Sequence, residues 1–171
     1  STTSYINSNN RRAYGYLYPK VIVKSFTFEV YKELINDSRI FKGDYVTFNM
    51  TVINVDYEEN GKIWKNVSLQ DTFSSKYLKP VNCSFYDCDG NQLDIPYEYT
   101  NIDYAQLSFD IDEFGKAITI ISTFKTLAFG ETYNTLRLNT VNRTARNNMP
   151  SATQELTIYP HLTVDKSAKE E

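Results

Sequence analysis

A chain of 171 residues with 41% hydrophobic and 15% aromatic side chains carries enough apolar material for one folded core, is cramped for two domains, and is not disordered. Its formal charge of -3 and the lack of any Lys/Arg cluster beyond pairs such as Arg11-Arg12 exclude a phosphate-binding surface, so nucleic acid is not an expected partner. No apolar stretch reaches membrane-spanning length, which excludes membrane contact by a helix of this fragment. One histidine and two cysteines are too few for the usual transition-metal centres, and no cofactor is expected.

The phrase YPKVIVKS (18 to 25) returns as YPHLTVDKS (159 to 167), at a spacing the size of a whole domain. Residues 1–17 therefore read as the tail of a preceding repeat or a linker, 18–158 as one module, and 159–171 as the start of the next. Within the module, residues 21–30 alternate, with Ile22, Lys24, Phe26, Phe28 and Val30 on one face. VYKELINDS (30 to 38) is the one stretch allowed some helix, and residues 35–44 have turn chemistry. A strand over 44–54 precedes Asn60-Gly61, a hairpin signal, and WKNVSLQDTF (64 to 73) puts Val67, Leu69, Asp71 and Phe73 on one face. Turns at DCDGNQLD and EFGKA separate further strands at 105–111, 117–127, 132–142 and 154–160. Many short strands with regular turns and no long helical period predict an all-β antiparallel β-sandwich.

Four segments in order, FKGDYVTFNMTVIN (41 to 54), KNVSLQDTF (65 to 73), TLAFGETYNTLRL (126 to 138) and VNRTA (141 to 145), resemble the conserved-repeat surface domain, formerly a domain of unknown function, of bacterial and archaeal adhesin-like proteins. The family's landmarks are a Gly-Asp before an alternating strand ending in Asn, an Asn-Val strand ending in Asp-Thr, a Gly-Glu turn and a final Asn-x-Thr-Ala. Two loops depart from the pattern: DTFSSKYLKP lacks the proline after Asp-Thr, and Phe129-Gly130 replaces Pro-Gly. The resemblance implies an immunoglobulin-like sandwich, tandem repetition, no enzymatic activity and an extracellular place, with attachment to the cell surface through other regions of the protein.

Strand parity puts Lys24, Asp71 and Asn142 towards the core. A lysine, an acid and an asparagine in an apolar interior are the parts of an internal isopeptide crosslink, because burial frees the amine and protonates the acid. The alternative is that Lys24 snorkels, Asp71 caps a turn and Asn142 satisfies backbone groups. Cys83 and Cys88 are a disulfide candidate that needs a bulge or loop, since five positions along a strand put them on opposite faces. Asp87, Asp89, Asn91 and Asp94 have oxygens at spacings near those of a calcium loop but lack its closing glutamate, and a hairpin turning at Asp89-Gly90 is the simpler reading.

Of five Asn-x-Ser/Thr sequons, at Asn36, Asn49, Asn66, Asn82 and Asn142, parity exposes Asn49 and Asn66 as the better glycosylation acceptors. Tyr97, Tyr99 and Tyr104 serve either as a platform for sugars or as core and cross-strand packing. Asp110 and Asp112 alternate as solvated residues do, which argues against a carboxylate-based glycosidase. The expected function is a non-enzymatic structural spacer in a surface adhesin whose neighbours are further repeats of the same chain. The alternative is an adhesin module that itself recognises a glycan or a host surface protein.

Overall fold

Long alternating runs of β-branched and aromatic residues have one way to bury one face each, which is to pair into sheets and stack them. In the computed structural model, which describes residues 27–142, 144–145 and 149–161, they do so as an immunoglobulin-like β-sandwich. In chain order the elements are β1 (Phe28–Leu34), β2 (Ile40–Phe41), β3 (Tyr45–Asn54), α1 (Val55–Asn60), β4 (Trp64–Phe73), β5 (Leu78–Asp87), β6 (Gln92–Leu93), β7 (Tyr97–Asn101), β8 (Ala105–Phe114), β9 (Ala117–Thr126), β10 (Gly130–Val141), β11 (Thr144–Ala145) and β12 (Ser151–Tyr159). One sheet runs β1-β3-β9-β5-β6; the other runs β2-β12-β10-β4-β8-β7, with β11 beside β10. All pairings are antiparallel except the short parallel contact of β12 with β2. The edge strand β1 lies against β12 without a hydrogen-bonded ladder, so the sandwich has an open seam there.

The core is aromatic and aliphatic, with Phe48, Phe109, Phe114 and Phe124 among its largest fully buried side chains. Ring contacts register one sheet on the other. Phe73 meets Phe124 at 4.9 Å and Phe85 meets Phe109 at 5.3 Å, which puts β4 opposite β9 and β8 opposite β5.

Two local expectations are corrected. VYKELINDS is not helical: residues to Leu34 belong to β1, because Phe28, Val30 and Leu34 pack on the core at period two and that burial outweighs the helix propensity of Lys-Glu-Leu. Asn60-Gly61 does not turn a hairpin, since β3 and β4 lie in different sheets. The chain crosses between them through α1, where the Asn54 side chain accepts from Tyr57 N at 3.2 Å and Gly61, at φ 67°, closes the helix in the left-handed region. EFGKA turns the chain as expected, linking β8 and β9 across the two sheets, and DCDGNQLD turns the β5–β6 hairpin.

Candidate functional site

In β1 the period-two face that carries Phe28 and Val30 reaches Lys32, whose side chain is 0% exposed although its strand is at a sheet edge. The aliphatic stem crosses the core so that Nζ sits 4.6 Å from the centroid of the Phe48 ring and 2.8 Å from Met50 Sδ. From the facing sheet Asp71, also 0% exposed, accepts a hydrogen bond from Nζ at 3.0 Å through Oδ1. Asn134 in β10 is fully buried beside them. Leu136 pairs with Asp71 and Asn134 with Phe73, so Asn134 is the same-face diagonal neighbour of Asp71, within side-chain reach.

This interior is apolar and closed off from the surface, and the charges feel it. Burial pulls the Lys32 ammonium below its ordinary value, opposed by the attraction of Asp71. Burial likewise pushes the Asp71 carboxyl up, opposed by Lys32 and by the facing Asn134 amide. Both shifts lower the cost of passing the proton from Lys32 to Asp71. Neither Nδ2 nor Oδ1 of Asn134 completes a hydrogen bond of good geometry, and Asp71 Oδ2 and Ser122 Oγ are also buried without a partner. Unpaired polar atoms in a core cost about 1–3 kcal/mol each, so this cluster is expensive as it stands.

Of the three residues expected to form such a site, Asp71 occupies it, Lys24 lies outside the described residues, and Asn142 is elsewhere. Asn142 is exposed in a left-handed turn at φ 53°, donating its N–H to Lys65 O at 2.8 Å and accepting from Lys65 N through Oδ1 at 3.3 Å. A β-bulge between Leu138 and Thr140 shifts the parity by one, so Val141 rather than Asn142 turns inward. Asn134, upstream of the bulge, shares the buried face with Thr132, Leu136 and Leu138; the same alternation extended back along β10 finds it.

Cys83 is buried in β5 and Cys88 is exposed beyond the strand end, both as free thiols, because the stretch between them contains no bulge to bring them together. Burial and the nearby Asp71 charge push the Cys83 thiol up to about 12. The Asp87 carboxylate is occupied by the β5–β6 turn, accepting from Asp89 N, Asn91 N and Asn91 Nδ2. Asp89, Asn91 and Asp94 add no ligand cage to it: no group of three or more His, Cys, Asp or Glu side chains poised for a metal occurs among the described residues. Asn49 and Asn66 are half-buried rather than fully exposed; Asn49 Oδ1 is enclosed without a partner, and Asn66 has a left-handed backbone at φ 51°. Tyr97 packs on Phe85 and Phe109, and Tyr99 stacks on Phe73, so both cover the sandwich edge while staying half-exposed.

No helix among the described residues is long and apolar enough to cross a membrane. No family model matches the chain, and no curated protein matches it in sequence. Its fold is similar to that of the major pilin SpaA of Corynebacterium diphtheriae (TM-score 0.56, 12% identity, 71% of this chain and 34% of the pilin). It is similar also to a cohesin module from a family 33 glycoside hydrolase of Clostridium perfringens (TM-score 0.51, 11% identity, 80% of this chain and 100% of the module). A third likeness is to the C-terminal domain of the antigen I/II-family protein AspA of Streptococcus pyogenes (TM-score 0.50, 16% identity, 77% of this chain and 46% of that one). The chain spans half or less of the streptococcal and pilin chains that it matches.

Proposed function

We propose that this chain is a non-enzymatic module of a cell-surface adhesin or pilus-like protein, a stiff spacer held by an internal amide between Lys32 and Asn134. The observation that carries the reading is the buried triad of Lys32, Asp71 and Asn134, with a charged pair at 3.0 Å and an amide that lacks partners. The chemistry balances within those residues. Lys32 passes a proton to Asp71, its Nζ attacks Asn134 Cγ, and the Cγ–Nδ2 bond breaks, releasing ammonia and leaving Asp71 protonated. The new amide N–H can then donate to one oxygen of Asp71 while the acid proton goes to Asn134 Oδ1, which supplies partners for the orphaned atoms. The structure of the pilin SpaA is described as having stabilizing isopeptide bonds, and the fold likeness makes a comparable crosslink here reasonable. A place in a tandem array is supported by the repeated YP phrase, whose second copy begins at Tyr159, the last residue of β12.

The test is the intact mass of the purified protein. Wild type is expected one ammonia lighter than its sequence, and Lys32→Ala and Asn134→Ala at full mass, while Lys24→Ala still shows the loss. Asn60-Gly61 could also lose ammonia through a succinimide, but Lys32→Ala would not abolish that loss, and Gly61 N–H is engaged by Tyr57 O at 2.7 Å. A wild-type chain at full mass overturns the crosslink.

A second reading, a module that binds a glycan or a host surface protein, draws on the exposed cluster of Tyr97, Tyr99, Ile102 and Tyr104 along one sheet edge. It predicts binding by the isolated domain in a glycan or host-protein screen that Tyr99→Ala and Tyr104→Ala abolish together.

A further inference from the structure

Ser122 sits in the middle of β9, 0% exposed, with no hydrogen-bond partner for its hydroxyl. A lone buried serine in an otherwise apolar row has a cost and no structural return, and its position gives it something to act on. Ser122 pairs with Phe48 on β3 and with Cys83 on β5. One row away on each side, the ring contacts fix the register of the facing sheets. The row of Phe124 meets the row of Phe73, and the row of Ile120 and Phe85 meets the row of Leu69 and Phe109. Between those rows, and between the same two opposed strands, Ser122 faces Asp71 across the interior. Lys32 Nζ reaches the same region from the sheet edge, at 3.0 Å from Asp71 Oδ1 and 4.6 Å from the centroid of the Phe48 ring, the β3 partner of Ser122.

We infer that Ser122 is a positioning residue for the crosslinking reaction: neither its hydroxyl nor Asp71 Oδ2 is hydrogen-bonded in this structure, and in the reacting site the hydroxyl donates to Oδ2, so that Oδ1 is held towards the Lys32 amine. The inference rests on the proposed Lys32–Asn134 crosslink and adds a fourth member that touches neither reacting atom. Oδ2 is the carboxylate oxygen without a partner, and Ser122 Oγ is the donor without an acceptor on the directly opposed strand. The titratable groups that share this space are Lys32 from β1, Asp71 from β4 and Cys83 from β5; Phe48 and Leu107 fill the β3 and β8 positions without charge. Cys83 stays a neutral thiol because burial raises it, so the proton inventory of the site is that of Lys32 and Asp71.

The test follows the ammonia loss by mass in chains captured in urea directly after cell-free synthesis and refolded at a series of pH values. Wild type should crosslink; Ser122→Ala should fold, by circular dichroism, but crosslink roughly ten- to a hundred-fold more slowly, as misplaced reacting groups do. Loss of a donor to the carboxylate should also move the acid limb of the Ser122→Ala rate profile to higher pH, which a purely packing role would not do. Ser122→Thr, which keeps the hydroxyl, should restore both rate and profile. An alanine variant with wild-type rate and acid limb overturns the role of Ser122 while leaving the crosslink standing, as does a threonine variant as slow as alanine. A wild type that never loses ammonia removes the crosslink and this inference together.

Discussion

At the scale of single residues, the decisive feature is a lysine and an aspartate with no exposed side-chain surface, meeting at 3.0 Å in a core of phenylalanines. Such a pair is a poor source of stability, since desolvation offsets most of its attraction, but breaking it strands one charge. In chains kept from crosslinking by Asn134→Leu, Lys32→Ala should cost about 3–5 kcal/mol in urea denaturation, whereas Lys32→Met with Asp71→Leu should cost nothing or stabilise by about 1–4 kcal/mol. Equal losses from the single and the double change would mean that the pair is a net stabiliser, as an ordinary structural ion pair would be. The exposed Asp87 gives a separate pH expectation. The N–H groups of Asn91, Asp89 and Gly90 hold its carboxyl below the ordinary 3.8, so the turn gains from the ionised form above that value and loses the gain as pH falls through the lower folded value. Amide shifts of Gly90 and Asn91 followed by NMR should therefore titrate below 3.8; titration at or above it contradicts the hydrogen-bond assignment.

At the scale of elements, alternation made most of the sandwich legible: β4 matches the expected 64–73 strand, and β3, β8, β9, β10 and β12 lie where period-two burial puts them. What alternation could not show is a change of parity inside a strand. The bulge after Leu138 leaves no mark in the sequence between Leu136 and Asn142, so counting by twos points Asn142 inward, whereas the buried asparagine of β10 is Asn134. Lys32 escapes a sequence reading for a different reason: Lys-Glu-Leu near a turn has helix propensity, and only the strand pairing and core packing of β1 make Lys32 an inward residue. Strand β5 was not anticipated, because Pro80 and the bulge at Pro80–Asn82 break its pattern. The residue types of the proposed set were therefore readable, while the position of the asparagine depended on a backbone bulge and that of the lysine on tertiary packing. Gly130 tests the β9–β10 junction: at φ 135°, an added Cβ would come within 2.9 Å of the Tyr77 ring. Gly130→Ala should destabilise the fold by about 1–3 kcal/mol, read from urea denaturation; a change near zero would mean that Tyr77 moves aside and the backbone relaxes.

At the scale of the whole molecule, the proposed bond joins the first described strand to β10 and so bridges the two sheets, leaving β12 outside the covalent loop. Tension between residues 28 and 159 then bypasses everything from Lys32 to Asn134. Stretched singly, the crosslinked module should lengthen only through residues 28–31 and 135–159, roughly 100 Å of chain, whereas Lys32→Met should release residues 28–159, roughly 450 Å, at about 3.4 Å per residue before subtracting the folded length. A stalk built of such modules would yield a little under load and then hold. The central claim, that Lys32 and Asn134 become one covalent unit, is tested most directly by peptide mapping of the purified wild-type chain. The account predicts a single branched species containing both residues, one ammonia lighter than its two parts. Two separate linear peptides, with Lys32 and Asn134 each unmodified, would contradict it.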